Sequence, residues 1–147
     1  MAEGKKKKIV VFLDASVLVA AALSPTGGSF RVLAESPLRG IALVTSRYAY
    51  SEAEANIQDK YPNLLSRLYE LAAFFQFVDE ADKKLLEQCI HVIDFKDAPV
   101  LAAALNARVD ILLTLDRKHF INNPHLEEKN FPLKIFMPGD FISTHFR

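Results

Sequence analysis

Short apolar runs alternate along the chain with longer segments whose apolar residues recur at helical spacing. The run IVVFLD (9–14) is continuous and rich in β-branched residues, which is typical of a strand buried on both faces. The next segment, ASVLVAAALS (15–24), has the composition of a helix and stops before Pro25. This alternation continues along the chain and predicts strands separated by helices.

The whole pattern predicts an α/β fold. The predicted strands are 9–14, 40–46, 75–79, 109–116 and a fifth one within 132–143. The predicted helices are 15–24, 29–36, 46–61, 62–75, 80–93, 97–108 and a helical turn after the fifth strand. Strands that alternate with helices favour a parallel sheet covered on both faces. We therefore expect a three-layer α/β/α architecture around a five-stranded, mostly parallel sheet.

Composition and charge narrow the possible partners. The chain has 147 residues and a formal net charge of zero, so it fits one compact domain, 9–147. Zero net charge argues against a module that binds nucleic acid by phosphate neutralisation alone, but it allows a small local cleft. The lysines at 5–8 are expected to belong to a solvated basic tail, 1–8.

The cysteine count and the lengths of the apolar segments argue against disulfide-bonded, zinc-binding, membrane and secreted proteins. The single cysteine, Cys89, allows neither an intramolecular disulfide nor a cysteine-rich zinc site. No apolar run reaches the length of a membrane span, and the N-terminal stretch lacks a signal-peptide cleavage pattern. We expect a soluble, cytoplasmic protein with no membrane partner.

Four carboxylates stand where a parallel sheet places its ligands. Asp14 ends the first strand and Asp116 ends the fourth. Asp97 opens the helix before the fourth strand, and Glu52 lies in the helix after the second. Ligands of open parallel sheets bind beyond the carboxyl ends of the strands. If the first and fourth strands are neighbours, the four carboxylates share one pocket.

Such a cluster needs compensation for its charge. Two carboxylates about 4 Å apart repel by roughly 4 kcal/mol at an effective dielectric near 20. Protons, basic partners or a bound cation would relieve this repulsion, and oxygen donors suit Mg²⁺ or Mn²⁺ better than zinc. Such ions can clamp a phosphodiester during attack by water. The pattern therefore predicts metal-dependent phosphodiester hydrolysis, on the condition that the acids converge.

Each acid also has a structural explanation. Asp97 could be a helix N-cap, Asp116 could cap the following turn, and Glu52 and Glu54 could be solvated helix residues. Asp14 is harder to explain in this way, because burying a carboxylate at a strand end costs several kcal/mol. The four acids taken jointly favour the metal site.

Three segments resemble the PIN domain family. They are VVFLDASVLVAAALSP, SEAEANI and above all DFKDAPVLAAALNARVDILLTLDRKHF. The resemblance extends from Ile9 to about Phe141 and is greatest to the VapC-like toxin ribonucleases. It implies a PIN-like, Rossmann-like fold and a Mg²⁺- or Mn²⁺-dependent endoribonuclease whose products carry a 5′-phosphate. It also implies an RNA substrate, a homodimer and an antitoxin protein as partner.

The resemblance implies roles for individual residues. The implied metal ligands and catalytic residues are Asp14, Glu52, Asp97 and Asp116. The implied supporting residues behind them are Ser16, Asn56 and Thr114. Ser16 departs from the family, which often has Asn at this position. Glu54 is a second candidate for the family's Glu, and Glu52 is preferred because of its spacing from Ser46.

Other side chains carry weaker signals. Arg47 and Tyr48 follow the second strand, where they could contact RNA or simply pack. The four histidines show no metal-ligand spacing and are expected at the surface or in packing: His91, His119, His125 and His145. An aromatic run is expected in the core or at a dimer face: Phe74, Phe75 and Phe77.

Two alternative functions stay open. A PIN-fold module that binds RNA or protein without cleaving would keep the fold but would not need all four acids. A phosphatase or phosphoacceptor domain would use Asp14 as nucleophile, but the sequence DAS lacks the second Asp of that pattern, and Lys134 is weak support. The sequence does not specify the RNA target, the choice between RNA and DNA, or the choice between Mg²⁺ and Mn²⁺.

Overall fold

A central sheet of five strands organises the computed structural model, which describes residues 8–147. The strands are β1 (Val10–Leu13), β2 (Ala42–Ser46), β3 (Gln76–Val78), β4 (Ile111–Leu113) and β5 (Lys134–Phe136). Their order across the sheet is β3-β2-β1-β4-β5, and each neighbouring pair is parallel. The predicted five-stranded parallel sheet is confirmed.

Helices cover both faces of this sheet. They are α1 (Ala15–Leu23), α2 (Gly28–Glu35), α3 (Arg47–Lys60), α4 (Leu65–Leu71), α5 (Lys83–Ile90), α6 (Ala98–Asn106) and α7 (Pro138–His145). One hydrophobic core lies between the sheet and α1, α2, α3, α4 and α7. The other lies mainly between the sheet and α5 and α6. The predicted three-layer arrangement is therefore confirmed.

The apolar character of β1 follows from its central position. Val11 and Leu13 enter the first core, Phe12 enters the second, and all three are completely buried. Side chains of a strand alternate between the two faces of the sheet, so a strand covered on both faces has no position for a polar residue. This explains the uninterrupted run that ends at Asp14.

Some predicted boundaries differ from the observed ones. The helix expected over 62–75 is divided into α4 and two flanking 3-10 turns, Pro62–Leu64 and Ala72–Phe74. Pro62 has no backbone N–H to donate, so the chain restarts there instead of continuing α3. The last helical turn is longer than expected and forms the eight-residue helix α7.

Two further expectations concern the basic N-terminal tail and the absence of a membrane-spanning segment. Residues 1–7 of the expected basic tail lie outside the described residues. Within the described part of the chain, no single helix is long and apolar enough to cross a membrane. The helices α1 and α2 reach the length and apolar composition of a membrane span only when taken together, and the angle between them is 100°.

The strand order places the candidate site. β2 and β3 lie on one side of β1, and β4 and β5 lie on the other. The order in which the chain adds strands to the sheet therefore reverses between β1 and β4, although all strands run parallel. Leu13 is in register with Leu113 in this pair. The residues that follow both strands therefore emerge together at the carboxyl edge, where parallel sheets bind their ligands.

Candidate metal centre

Asp14 follows β1 directly and is buried, with 7 % of its surface exposed. Its Oδ2 accepts hydrogen bonds from Thr114 Oγ1 at 2.7 Å and from Ser16 Oγ at 3.0 Å. Burial raises the pKa of Asp14, and the nearby charge of Asp116 adds to this, whereas the two hydroxyls lower the pKa. The carboxylate is thus fixed by neutral donors.

The same two hydroxyls organise the loop after β4. Thr114 Oγ1 accepts a hydrogen bond from the backbone N–H of Asp116 at 3.0 Å. Ser16 Oγ accepts one from the N–H of Leu115, also at 3.0 Å. These bonds hold Asp116 in a fixed position relative to Asp14.

Asp116 and Asp97 meet at a histidine. Asp116 begins a π-helical turn (Arg117–Ile121), and its Oδ1 accepts the backbone N–H of His119 at 3.0 Å. The ring atom Nδ1 of His119 lies 2.9 Å from Asp116 Oδ2 and 3.1 Å from Asp97 Oδ2. Asp97 Oδ2 is shielded from solvent, yet among the described residues no group donates a hydrogen bond to it. This oxygen is free to ligate a cation.

Glu52 completes the cluster from α3, and it is the most exposed of the four acids. Burial, followed by the charges of Asp14 and Asp97, raises the pKa of Glu52 to about 7, and Lys96 opposes this. For Asp97, burial and the charge of Asp116 raise the pKa to about 6, and His119 opposes this. The acids are therefore close enough to destabilise one another's ionised forms.

An open cleft of about 570 Å³ contains the cluster. Its polar lining residues are Asp14, Ser16, Glu52, Asn56, Lys60, Tyr61, Asp97 and Asp116, and its apolar wall is formed mainly by α1. Thr114 is completely buried behind Asp14 and does not line the cleft. The structure thus gathers all four predicted acids, with Ser16 and Asn56 beside them.

The charge of the cluster is largely uncompensated. Across residues 8–147, none of the four carboxylates forms an ion pair with a lysine or an arginine. His119 is the ionisable partner that the described structure does provide, and it contacts Asp97 and Asp116. The unfavourable charge would be relieved by a divalent cation, which prefers carboxylate ligands.

The donor atoms also have suitable spacing for such a cation. One donor atom from each of Asp97, Asp116 and His119 lies within 4.8 Å of the others. At metal–donor distances of about 2.1 Å, adjacent octahedral ligands are about 3.0 Å apart. The 2.9 and 3.1 Å distances from His119 Nδ1 agree with that spacing. The shorter contact is also a hydrogen bond between the His119 ring and Asp116, whereas Asp97 Oδ2 accepts none. The donor types and distances are those that a divalent ion would accept in place of that hydrogen bond.

The structure distinguishes the two glutamates of α3. Glu52 lines the cleft. Glu54 instead accepts a 2.9 Å hydrogen bond from the hydroxyl of Tyr69 on α4. Of the two glutamates, Glu52 is therefore the one that lies at the cleft, and its role as a ligand stays a prediction.

The two candidate RNA-contacting residues lie outside the cleft lining. The guanidinium of Arg47 lies 3.7 Å from the centroid of the Phe77 ring, so it packs on this ring. The Tyr48 hydroxyl donates a 3.0 Å hydrogen bond to the backbone carbonyl of Lys96, next to Asp97. Tyr48 thus borders the site, whereas Arg47 has a packing role.

His119 is the site residue that the sequence analysis missed. It was expected at the surface or in packing, but its ring joins two of the acids. The available signal was its position three residues after Asp116, which brings two side chains together on one helical turn. That spacing alone does not predict the contact with Asp97, which depends on the tertiary fold.

Fold and cleft together are those of an α/β protein with a candidate divalent-metal site at the carboxyl edge of its sheet. The sequence model of the PIN domain family matches residues 10–118, and the chain therefore belongs to this family. The resemblance found in the sequence is confirmed. Among curated proteins, none matches the chain in sequence.

Solved structures with the same fold include one that is described as a toxin. The structure of VapBC2 from Rickettsia felis, bound to a promoter DNA fragment, matches with a TM-score of 0.67 and 14% identity over 88% of this chain and 98% of that one. VapC20 of Mycobacterium tuberculosis is a toxin that cleaves the sarcin-ricin loop. It matches with a TM-score of 0.55 and 16% identity, over 74% of this chain and 91% of that one. PAE2754 from Pyrobaculum aerophilum matches with a TM-score of 0.63 and 14% identity, over 92% of this chain and 94% of that one. At these identities the likeness establishes the fold.

Proposed function

We propose that the protein is a metal-dependent endoribonuclease that hydrolyses RNA phosphodiesters in the acidic cleft. The observation that carries this proposal is the convergence of four carboxylates that no lysine or arginine of residues 8–147 neutralises by an ion pair. Membership of the PIN domain family supports it, since proteins of this family are typically nucleases.

The cation would be Mg²⁺ or Mn²⁺. The side chains that would hold it, directly or through water, are Asp14, Glu52, Asp97, Asp116 and His119. When bound, such an ion supplies a Lewis acid for the phosphate and lowers the pKa of water for the attack. In the hydrolysis, a water oxygen bonds to phosphorus and the bond to the ribose 3′ oxygen breaks. The products carry a 5′-phosphate and a 3′-hydroxyl.

The chain contributes by fixing its ligands in advance. Asp14 is oriented by the hydroxyls of Thr114 and Ser16, and Asp116 is held by its own N–H bond to Thr114. Ligands that are held by hydrogen bonds from behind keep their orientation and their metal affinity. Thr114 and Ser16 therefore act as positioning residues.

We propose single-stranded RNA as the substrate, and two residues of the cleft lining support this choice. Lys60 and Tyr61 line it at the end of α3, and Tyr61 is 44% exposed. A cation for the backbone beside an aromatic ring for a base is the usual combination in single-strand binding. The zero net charge of the chain agrees with local rather than global attraction of RNA.

The biological role that we propose is that of the toxin in a toxin–antitoxin pair. The fold shared with VapBC2 and VapC20 supports this role. It brings two further proposals, a homodimer and inhibition by an antitoxin protein. Light scattering of the purified protein would test the dimer. Growth arrest on expression in bacteria, lost in Asp14→Asn, would test toxicity.

The enzymatic proposal is tested with a 5′-labelled single-stranded RNA and Mn²⁺. We expect cleavage by the wild type, loss of cleavage with EDTA, and a drop of at least about 100-fold in Asp14→Asn. Asp59→Asn is the matched control, because it makes the same change at an exposed position of α3 outside the cleft. Equal cleavage by the wild type and Asp14→Asn would show that the activity does not arise in this cleft.

A further inference from the structure

A second cavity, of about 340 Å³, is lined by residues close in sequence to those of the acidic cleft. Tyr48 and Pro99 line the second cavity, whereas the cleft is lined by Glu52, about one turn after Tyr48 on α3, and by Asp97, two residues before Pro99. The Tyr48 hydroxyl is bonded to the backbone carbonyl of Lys96, the residue before Asp97. A ligand in the second cavity would therefore lie beside the candidate metal centre.

The walls of this cavity suit a flat aromatic group. Leu86, Pro99 and Ala102 provide apolar surface, and the ring of Tyr48, which is 37% exposed, provides a planar face. The volume is at the lower end of the range of about 300–1,000 Å³ for small-molecule sites. Aromatic and apolar side chains of this kind stack on unpaired bases of RNA.

Glu80 supplies the charged group of the lining. Its Oε2 accepts a 3.1 Å hydrogen bond from the backbone N–H of Tyr48 at the start of α3. In the described part of the chain, Glu80 makes no other side-chain hydrogen bond and no ion pair. Its Oε1 is therefore available, and an ionised carboxylate can only accept hydrogen bonds.

We propose that this cavity binds a nucleobase next to the scissile phosphate and that Glu80 selects bases with an exocyclic amino group over uracil. A carboxylate accepts a hydrogen bond from such an amino group, as it does from the N4 amino group of cytosine. Uracil has no amino group, and its one Watson–Crick donor, N3–H, lies between two carbonyl oxygens that would repel the carboxylate. Lys96 precedes Asp97, and its backbone carbonyl accepts the Tyr48 hydroxyl, so its ammonium group would supply a cation for the connecting phosphate. This inference rests on the proposed ribonuclease function.

The test measures base preference by fluorescence anisotropy with labelled RNA decamers. The protein carries Asp14→Asn so that the RNA stays intact, and Mn²⁺ is present. We expect oligoadenylate and oligocytidylate to bind about tenfold more tightly than oligouridylate, because the amino group bonds to a charged acceptor. A decamer of purine riboside, which is adenosine without its amino group, should bind as weakly as oligouridylate. This probe works without any change to Glu80.

The matched protein variants are Glu80→Gln and Glu87→Gln. Gln at position 80 keeps an acceptor for the Tyr48 N–H but removes the charge, so the preference should fall to about twofold or less. Glu87 is exposed on α5 outside the cavity lining, and its variant should keep the full preference. A circular dichroism melt confirms that each variant is folded.

Two results would overturn this inference. One is equal binding of all four decamers, which would also be expected if the cavity receives a side chain of a partner protein. The other is a base preference that Glu80→Gln leaves unchanged. The cleavage assay is independent of this one. Metal-dependent cleavage without base preference would remove only the present inference, whereas base preference without cleavage would remove the proposed ribonuclease activity.

Discussion

The hydroxyl of Thr114 lies 2.7 Å from Oδ2 of Asp14, although 100 positions separate the two residues in the sequence. The parallel pairing of β1 and β4 makes this contact possible, because it places the ends of both strands side by side. Thr114 also accepts the backbone N–H of Asp116. One buried hydroxyl thus connects two of the four acids in the cleft.

Replacing Thr114 by valine should weaken both the fold and the metal site. The change keeps the shape but removes the hydroxyl, so the Asp14 carboxylate and the Asp116 N–H each lose a partner. We expect a loss of about 1–3 kcal/mol in the free energy of unfolding. We also expect Mn²⁺ to bind about 10- to 100-fold more weakly in calorimetry.

Thr114→Ser is the control for this prediction, because it restores the hydroxyl without the methyl group. Its Mn²⁺ affinity should stay within about threefold of the wild type, since the hydrogen bonds remain. If valine and serine reduced the metal affinity equally, the hydroxyl would have no role in positioning Asp14.

The two glutamates of α3 offer a matched pair. Glu52 lines the cleft, whereas Glu54 is bonded to Tyr69 on α4. Glu52→Gln should lower RNA cleavage at least about tenfold, because it removes a charge from the metal site. Glu54→Gln should change the rate less than about twofold, since it alters only an exposed hydrogen bond. The opposite result would assign the site to Glu54.

His119 should act as a nitrogen ligand of the metal. Imidazole donors favour transition metals over Mg²⁺, so His119→Ala should lower the Mn²⁺ affinity about tenfold and the Mg²⁺ affinity less. His91→Ala is the control, because His91 is exposed and lies outside the cleft lining. Unchanged Mn²⁺ binding in His119→Ala would show that the ring does not ligate the ion.

The raised pKa values predict how stability depends on pH. The pKa of Glu52 rises from 4.5 to about 7 and that of Asp97 from 3.8 to about 6. Between each pair of values, the folded protein holds protons that the unfolded chain has released. In metal-free protein, these groups therefore lower the free energy of unfolding as pH rises through that window, and their stabilising effect is present at lower pH.

Thermal melts with EDTA between pH 4.5 and 8 would measure this effect. The comparison is with Glu52→Gln, whose Tm should decline less as pH rises, because Gln does not titrate. Added Mn²⁺ should raise the Tm more at pH 8 than at pH 5, since metal binding requires ionised carboxylates. Identical pH profiles for the wild type and Glu52→Gln would contradict the shift assigned to this residue.

The sheet and the order of its elements were predictable because their signals are local. The residues of β1 and β4 form continuous apolar runs, and each run is followed within three residues by an acid, Asp14 or Asp116. Such runs are typical of strands covered on both faces. The division of 62–75 was missed because its leucines keep helical spacing across the 3-10 turns.

The contacts of the site were less predictable because they are tertiary. The convergence of Asp14 with Asp116 depends on which strands are neighbours, and the local sequence does not specify that. The position of His119 depends on a π-helical turn that directs its ring between Asp97 and Asp116. The spacing of three residues accounts for the contact with Asp116, whereas the contact with Asp97 depends on the tertiary fold.

The metal site can be tested most directly by diffraction from crystals soaked in Mn²⁺. Data collected near the manganese absorption edge would locate the ion by its anomalous scattering. Our account predicts a peak in the cleft within about 2.3 Å of carboxylate oxygens from Asp14, Asp97 or Asp116. A cleft without anomalous density at saturating Mn²⁺ would contradict it.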